Sequence, residues 1–405
     1  MRVLVITQYF RPESFRINEV VQSLTEAECD VVVLTGQPNY PDGAVFPGYR
    51  AWGAGRDARE EGVKVFRVPI IPRGRGAAWQ MAANYISFVV CASLVGSWLL
   101  RAEKFDVIFV YGISPILQAV PGIFLRWLKQ AALVTWVQDL WPQSLEVTGF
   151  VRNRWLLARV GSLVRWIYRH NDLLLVQSRA FVPIVQSMAG AVPVRYHPNP
   201  GELSFDREIA CASPAIALEP GFNVVFAGNL GTVQSLGTVL DAAEQLLPHL
   251  DVRIVFVGSG SRGDWLKDEA VRRGLSNVHF AGRMPPEAMP AILAQASALL
   301  VTLARDPTMS QTIPSKVQAY LAAGRPVIAC LDGEGARVVE ESGAGVVCPA
   351  EDPLALSQAV ARLCALPERE RQKMGDAGRS YYRQHFDPRT LCEGLVGHFN
   401  GAISE

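Results

Sequence analysis

The chain has 405 residues, which is too long for one ordinary domain. Its residues are 49% hydrophobic and 19% charged, a composition that excludes a disordered protein. A formal net charge of +1 gives no overall attraction to nucleic acid. Seven scattered cysteines form no CxxC pair, and the six histidines lack zinc-ligand spacing, so we expect free thiols, no metal site and no disulfide framework. The chain starts on a strand-like run rather than a signal peptide, which predicts a cytoplasmic protein.

Short apolar runs alternate with helical stretches in both halves of the chain, which is typical of parallel βαβ units. We predict strands at 2–7, 30–35, 63–68, 106–110, 133–137 and 172–176, and at 223–227, 252–257, 278–280, 298–303, 327–329 and 345–347. Six strands per half predict two doubly wound, Rossmann-like parallel sheets in an α/β protein. Ligands bind at the carboxyl ends of such strands, so two facing sheets predict a cleft with one substrate on each side.

Two prolines and a glycine at 197–201 interrupt regular structure and predict the domain boundary. The N-terminal domain is then 1–200 and the C-terminal domain 201–384, with the stretch to about Pro220 as a linker. The tail 385–405 is predicted to be a helix that packs back on the N-terminal domain.

Polar residues follow two strands of the first half. Arg11, Glu13 and Arg16 come after the first strand, where they can contact a phosphate or sugar, or can be solvated charges of a loop and helix start. Asp139 follows the strand 133–137, as a general base facing the cleft or as the cap of the next turn.

Two segments point to a membrane surface. Residues 77–100 carry no charge and could span a bilayer, but their position between strands of one sheet favours a buried or interface-lying helix. Residues 152–170 combine five arginines with tryptophan and leucine, which suits an anionic surface or a helix packed on the sheet with a solvated basic face. We expect peripheral contact with the cytoplasmic face of the inner membrane.

Glycine-containing turns follow three strands of the second half: FAGNLGTVQS at 226–235, VGSG at 257–260 and FAGRM at 280–284. Glycine at such turns lets the backbone approach a ligand closely. The pair Gly258 and Gly260 also fits any tight βα turn, and Arg283 with Met284 fits either a nucleotide base or a solvated arginine beside a packed methionine.

The strongest pattern is PSKVQAYLAAGRPVIA at 314–329. A loop enters a helix at Ser315, the helix ends at Gly324, and a buried strand follows. The free N–H groups at a helix start suit a diphosphate, and Lys316 can add a cation. The alternative from the pattern alone is an ordinary capped helix with a solvated Lys316.

These runs together resemble the large family of retaining GT-B glycosyltransferases, family four. AAGRPVIA is similar to the family's A-x-G-x-P-V-I-A, VGSG to its VGxG, and FAGRM to its FxGxV. PNYP at 38–41 and DLWP at 139–142 resemble the subgroup of O-antigen L-fucosamine and colanic-acid fucosyl transferases. The resemblance covers essentially the whole chain.

The resemblance implies sugar transfer from a nucleotide-diphosphate donor, expected to be UDP-linked, to a polyprenol-linked saccharide. No acidic pair such as DxD stands in a plausible loop, so we expect a metal-independent reaction with no further cofactor. With this resemblance and the residue patterns above, we assign catalysis to Asp139 and Lys316, and acceptor binding to Arg11, Glu13 and Arg16. The residues assigned to donor binding are Gly228, Asn229, Gln234, Gly258, Gly260, Arg283, Met284, Ser310, Pro314, Ser315 and Gln318.

The chain departs from the family where the family carries charged side chains. Ser310 and Gln318 occupy the positions of two glutamates, although Gln318 can still hydrogen-bond a ribose. Asn229 and Gln234 replace an arginine and a lysine, and Gln138 replaces a histidine. These changes leave two alternatives open: a GT-B UDP-sugar epimerase, and a non-catalytic nucleotide-sugar-binding or assembly protein.

Overall fold

The computed structural model describes residues 1–57, 62–75, 77–147, 153–201, 216–248 and 251–404. They form two compact units, Met1–Pro198 with Leu391–Glu405, and Asn199–Thr390. Arg152 of the predicted basic segment, and residues 202–215 of the predicted linker, lie outside the described residues.

The first unit is a sheet covered by helices on both faces. Its strands are β1 Arg2–Ile6, β2 Asp30–Gly36, β3 Gly55–Asp57, β4 Lys64–Val68, β5 Val107–Gly112, β6 Ala132–Val137, β7 Leu173–Val176 and β8 Val194–Tyr196. Its helices are α1 Ile17–Glu26, α2 Ala78–Leu99, α3 Val120–Lys129, α4 Gln143–Val147, α5 Arg154–Arg169 and α6 Phe181–Ala189. The strand order is β3-β4-β2-β1-β5-β6-β7-β8, with β3 antiparallel to β4 and the other described pairs parallel.

Alternate residues of β1 enter two different cores, because successive side chains of a strand point to opposite faces. Leu4 and Ile6 join the core that contains residues of α2, α3, α5 and α6, whereas Val3 and Val5 join the core that contains α1. Burial on both faces explains why the strands are nearly continuous apolar runs in the sequence.

The second unit is a smaller sheet of the same kind. Its strands are β9 Phe222–Ala227, β10 Val252–Val257, β11 Val278–Gly282, β12 Ala298–Thr302, β13 Val327–Cys330 and β14 Gly345–Cys348. Its helices are α7 Leu236–Leu246, α8 Gly263–Arg272, α9 Met289–Leu293, α10 Ser315–Ala323, α11 Glu334–Ser342, α12 Pro353–Ala365 and α13 Glu368–His385. The described strands are parallel in the order β11-β10-β9-β12-β13-β14.

The last helix, α14 Pro388–Ser404, belongs to the first unit from Leu391 onward. Leu395 and Phe399 are buried in the core that also holds Val3 and Val5 of β1. The tail therefore contributes to the core of the first unit rather than to that of the second.

All twelve predicted strands are confirmed within one or two residues, and the two additional strands are β3 and β8. Each of these has three residues and lies at an edge of the sheet. Three residues at a partly exposed edge carry too few apolar positions for a strand pattern to be visible in the sequence.

Candidate functional site

A cavity of about 780 Å³ in the second unit lies at the carboxyl ends of β9, β10 and β12. The chain leaves β9 toward β10 and β11 on one side and returns on the other side as β12, which makes this the switch point of the sheet. Open α/β sheets bind ligands at such a point. The cavity is lined by residues of the turns after β9, β10 and β11 and by the start of α10.

Backbone hydrogen bonds join these three turns. Gly228 N donates to the Val257 carbonyl at 2.8 Å, and Gly258 N donates to the Gly282 carbonyl at 2.8 Å. Gly258 has a φ of +145°, and a Cβ there would lie 1.9 Å from the Gly228 carbonyl oxygen. Glycine is therefore required where the turns touch, and the same contact keeps a bare backbone surface facing the cavity.

Lys316 lies in the first turn of α10 and reaches the cavity past Gly228. Its Nζ is buried and has no hydrogen-bond partner among the described residues, and it lies 3.6 Å from the centroid of the Phe226 ring. Desolvation lowers the pKa of Lys316 to about 7. A buried ammonium without a counter-charge is costly, so the site favours an anionic ligand.

Glycine at 228 makes room for this lysine. A Cβ at that position would lie 2.7 Å from Lys316 Cε, and the φ of +126° is strained for any other residue. Pro314 and Ser315, at the start of α10, line the same cavity as Lys316. The helix start and the lysine together form a site suited to a phosphate group.

Ten of the predicted donor-side residues line this one cavity. Asn229, Arg283 and Met284 lie on its walls, and Gln234 lies there with its Oε1 accepting a hydrogen bond from Gly231 N at 3.0 Å. The amide of Gln234 therefore also stabilises the turn after β9. The full set comprises Gly228, Asn229, Gln234, Gly258, Gly260, Arg283, Met284, Pro314, Ser315 and Lys316.

Two predicted donor residues lie outside the cavity lining, which corrects their expected placement. Gln318 is buried, and its Nε2 donates to the Asn199 carbonyl at 2.8 Å. It is two residues beyond Lys316, which places it on nearly the opposite side of the helix. Ser310 donates its hydroxyl to the Pro307 carbonyl at 2.9 Å within its own turn.

Sequence reasoning missed Tyr320, Ala319 and Thr302 in the cavity wall. The Tyr320 hydroxyl accepts from Ala227 N at 2.9 Å and lies 3.2 Å from the Ala227 carbonyl, which holds α10 against the end of β9. Tyr320 follows Lys316 by four residues and therefore shares its helix face. That helical spacing is the signal that could have identified it.

Asp139 lies at the carboxyl end of β6 in the first unit and is partly exposed. Its Oδ2 accepts a hydrogen bond from Ser114 N at 3.1 Å, and Trp141 Nε1 donates to the Ser114 hydroxyl at 3.0 Å. The carboxylate therefore anchors the loop after β5, rather than the following turn alone.

Glu13 was predicted to contact an acceptor or to be a solvated charge, but it is buried, whereas Arg11 and Arg16 are partly exposed. Its carboxylate accepts backbone hydrogen bonds from Phe10 at 3.2 Å, Asn39 at 2.8 Å and Tyr40 at 2.7 Å. Burial raises the pKa of Glu13 to about 7 against the opposite effect of these three N–H donors. This geometry gives Glu13 a structural role that joins two loops.

Glu13→Gln is expected to lower the free energy of unfolding by about 1–3 kcal/mol, since one amide NH₂ group would face backbone donors. Thermal unfolding measures this loss, and hydrogen exchange at Asn39 and Tyr40 should accelerate. Glu28→Gln, at an exposed turn, is the matched control and should leave both unchanged. Equal stability of the two variants would contradict the structural role.

Aromatic residues to which the sequence analysis gave no site role surround the loops that Glu13 joins. Tyr9 stacks on Phe15 with a centroid distance of 5.0 Å, and Tyr40 packs on Phe15 at 5.1 Å. The Arg73 guanidinium lies 5.2 Å from the Tyr40 ring centroid. The tyrosine in the PNYP run was the available signal for this cluster.

Within the described ranges, no group of three or more His, Cys, Asp or Glu side chains could hold a metal ion. Metal independence stays a prediction that awaits a direct test.

Comparison with known proteins matches both halves of the chain to sugar-transferring enzymes. Residues 221–365 match the family of glycosyl transferases group 1, and residues 14–201 match the glycosyl transferase 4-like domain. The chain is 25% identical over 356 residues to a probable glycosyltransferase, WbjE, of Pseudomonas aeruginosa, covering 84% of each protein. It is 26% identical to a putative colanic acid biosynthesis glycosyl transferase, WcaI, of Escherichia coli strain K12, covering 99% of this chain and 100% of that protein.

Solved structures share the fold at low sequence identity. Sucrose-phosphate synthase from Thermosynechococcus elongatus superposes with a TM-score of 0.69 at 16% identity, covering 100% of this chain and 99% of that one. HepE of Anabaena, solved in complex with UDP, superposes with a TM-score of 0.66 at 16% identity, covering 99% and 100% of the two chains.

Proposed function

Since the chain is a glycosyltransferase of the GT-B fold, acting in polysaccharide synthesis, we propose that it moves a sugar, with retention, from a UDP-linked donor to a polyprenol-diphosphate-linked saccharide. The sugar is an N-acetylated amino sugar or a deoxy sugar, and the product is an O-antigen, capsule or exopolysaccharide. The reaction needs no metal and takes place at the cytoplasmic face of the inner membrane.

The observation that carries this proposal is the Lys316 amino group in the first turn of α10, buried with no hydrogen-bond partner in the described part of the chain. Departure of a nucleoside diphosphate builds negative charge on a phosphate oxygen. A pre-positioned cation and backbone amides stabilise such charge without reorganisation during the reaction. The UDP bound to the structurally similar HepE supports UDP as the leaving group.

The replacement of charged family residues by amides and hydroxyls makes this chain depend on Lys316 more strongly. Asn229 and Gln234 line the cavity but are neutral, and Arg283 is exposed at its rim. In this mechanism the acceptor hydroxyl attacks on the face from which the diphosphate leaves. Its proton passes to the leaving phosphate or to Asp139.

The proposal is tested by incubating the protein with a panel of nucleotide-sugars and a lipid-diphosphate-linked acceptor. Transfer with release of UDP supports it, and the anomeric configuration of the product by NMR tests retention. Activity in excess chelator tests metal independence. Interconversion of donors without acceptor would identify an epimerase, and binding without turnover would identify a non-catalytic protein.

Asp139→Asn is expected to lower kcat by about 100-fold if the carboxylate takes the acceptor proton. The asparagine carbonyl can still accept from Ser114 N, so the melting temperature should stay unchanged. Asp30→Asn is the control, since Asp30 starts β2 at the amino end of the sheet. Normal turnover of Asp139→Asn, with an unchanged pH profile, would assign the proton to the leaving phosphate.

A further inference from the structure

Three helices of the first unit, α2, α3 and α5, cover one face of its sheet. Phe88 of α2, Leu125 of α3 and Val164 of α5 belong to one buried core together with Leu4 and Ile6 of β1. Each helix buries one side against the sheet, so the opposite sides together form the outer surface of this layer. We call this the outer helical surface.

The outer helical surface is unusually apolar. It carries five of the chain's nine tryptophans, and the largest exposed fractions are 70% for Trp79 and Trp127. On α2 the exposed side chains recur every four residues, opposite the buried Phe88 and Ala92. The main exposed side chains are Trp79, Leu94, Trp98, Trp127, Trp155 and Trp166. Exposed apolar patches of this extent mark interaction surfaces rather than ordinary solvent-facing helices.

The charge of these helices identifies the kind of partner. They have 22, 10 and 16 residues and contain no Asp or Glu, although the whole chain has 38. On α5, Arg154, Arg159, Arg165 and Arg169 are all exposed. A surface that combines apolar side chains with one sign of charge is complementary to an anionic lipid bilayer.

Arginine and tryptophan are paired on this surface. The Arg159 guanidinium lies 4.9 Å from the Trp155 ring centroid, and the Arg101 guanidinium lies 4.4 Å from that of Trp98. Tryptophan prefers the boundary between lipid headgroups and acyl chains, where an adjacent guanidinium can contact phosphate. Each pair would therefore bring its tryptophan to the headgroup boundary and its guanidinium to the level of the lipid phosphates.

The helix α2 is long and apolar enough to cross a bilayer, but it is held on the sheet. A Cβ at Gly96 would lie 2.8 Å from Leu34 Cδ2, so the helix backbone packs directly against β2. Asn84 is fully buried, accepts from Gln8 Nε2 at 2.6 Å and donates to the Ile71 carbonyl at 2.6 Å. A spanning orientation would break these contacts, so they favour an α2 that stays packed on the sheet.

We propose that the outer helical surface docks the protein on an anionic bilayer, with the tryptophans inserted at the headgroup level and the arginines of α5 on lipid phosphates. Docking would bring the enzyme to a lipid-linked acceptor. Only this benefit of docking rests on the proposed function; the docking itself does not. A second copy of the chain is a poorer occupant. A symmetric pairing of these helices would bring the arginines of α5 near one another with no carboxylate on the three helices to neutralise them.

The test is co-sedimentation with vesicles of phosphatidylcholine alone or with roughly one-third phosphatidylglycerol, without donor or acceptor. We expect binding to the anionic vesicles that weakens with added salt, and a blue shift of tryptophan fluorescence. The triple variant Trp79→Gln, Leu94→Gln, Trp98→Gln should bind at least about tenfold more weakly. These side chains are exposed, so its melting temperature should match that of the wild type.

The double variant Val271→Gln, Leu354→Gln is the matched control, since it removes exposed apolar side chains from helices of the second unit. It should bind vesicles like the wild type. Failure of the wild type to bind, equal binding by the triple variant, or a dimer that the triple variant dissociates would overturn the proposal. Because vesicle binding is measured without substrates, absence of sugar transfer would refute the proposed function and leave this result standing.

Discussion

Lys316→Met is expected to lower kcat/KM for the nucleotide-sugar by about 100-fold, the cost of removing one pre-positioned group that stabilises transition-state charge. Methionine keeps the unbranched chain that packs on Phe226 and passes Gly228, but cannot contact a phosphate as a cation. Initial-rate kinetics with the preferred donor measure the loss. Lys267→Met is the control, since Lys267 is exposed on α8.

The same substitution is expected to make the protein more stable near pH 6. Desolvation lowers the pKa of Lys316 from 10.5 to about 7, so in the folded state the ammonium below pH 7 is buried without compensation. Between pH 7 and 10.5 the unfolded state binds more protons than the folded state, and wild-type stability rises with pH. The free energy of unfolding of Lys316→Met lacks this rise. The difference in unfolding free energy between the variant and the wild type, measured by chemical denaturation, should therefore shrink as the pH approaches 10.

Donor binding should show the corresponding proton uptake. At pH 8 most of the free enzyme carries a neutral Lys316, and a bound diphosphate favours the ammonium. The affinity for UDP should therefore fall as the pH rises above 7, by at most about tenfold per pH unit. Calorimetry in buffers of different ionisation enthalpy measures the uptake, which Lys316→Met should lack. Near-normal activity and no proton uptake would remove Lys316 from the diphosphate site.

Gly258→Ala is expected to destabilise the second unit by more than about 3 kcal/mol and to abolish UDP binding. The new Cβ would lie 1.9 Å from the Gly228 carbonyl oxygen, at a φ of +145° that alanine adopts with strain. The turns after β9 and β10 would have to separate, which breaks the hydrogen bond from Gly228 N to Val257. Chemical denaturation and UDP titration measure the two effects.

Gly274→Ala separates the clash from the backbone strain. Gly274 also has a positive φ, +68°, but nothing lies within 4 Å of a Cβ placed there. Its substitution should cost only about 1 kcal/mol and leave UDP binding intact. If both variants lost the same stability, backbone strain alone would explain the result and the contact between the two turns would be unimportant.

Most of the fold could be predicted from the sequence because its strands are buried on both faces and appear as apolar runs between turns. The donor-side residues were predictable for a related reason. Glycines at strand ends, and the serine and lysine at a helix start, are local patterns in which backbone groups can approach a ligand, and the family resemblance pointed to the remaining residues. Ten of the predicted donor-side residues line one cavity in the structure.

Other site residues were misplaced because their surroundings come from distant parts of the chain. Gln318 donates a hydrogen bond to the carbonyl of Asn199, 119 residues away, and lies outside the cavity lining. Glu13 bonds to Asn39 and Tyr40, 26 and 27 residues away, and becomes buried. Neither contact leaves a periodic signal in the sequence.

The sequence by itself determined where the glycine turns and the helix start of the donor-side cavity fall, since backbone conformation is decided over a few neighbouring residues. Only the tertiary structure decided that Lys316 is desolvated and has no hydrogen-bond partner among the residues that the structure describes, because Phe226 and Gly228 come from another strand and turn. It also decided that one side of α2 packs on the sheet while the opposite side is exposed. Burial is a property of three-dimensional neighbours, and a linear pattern fixes helix faces without saying what covers them.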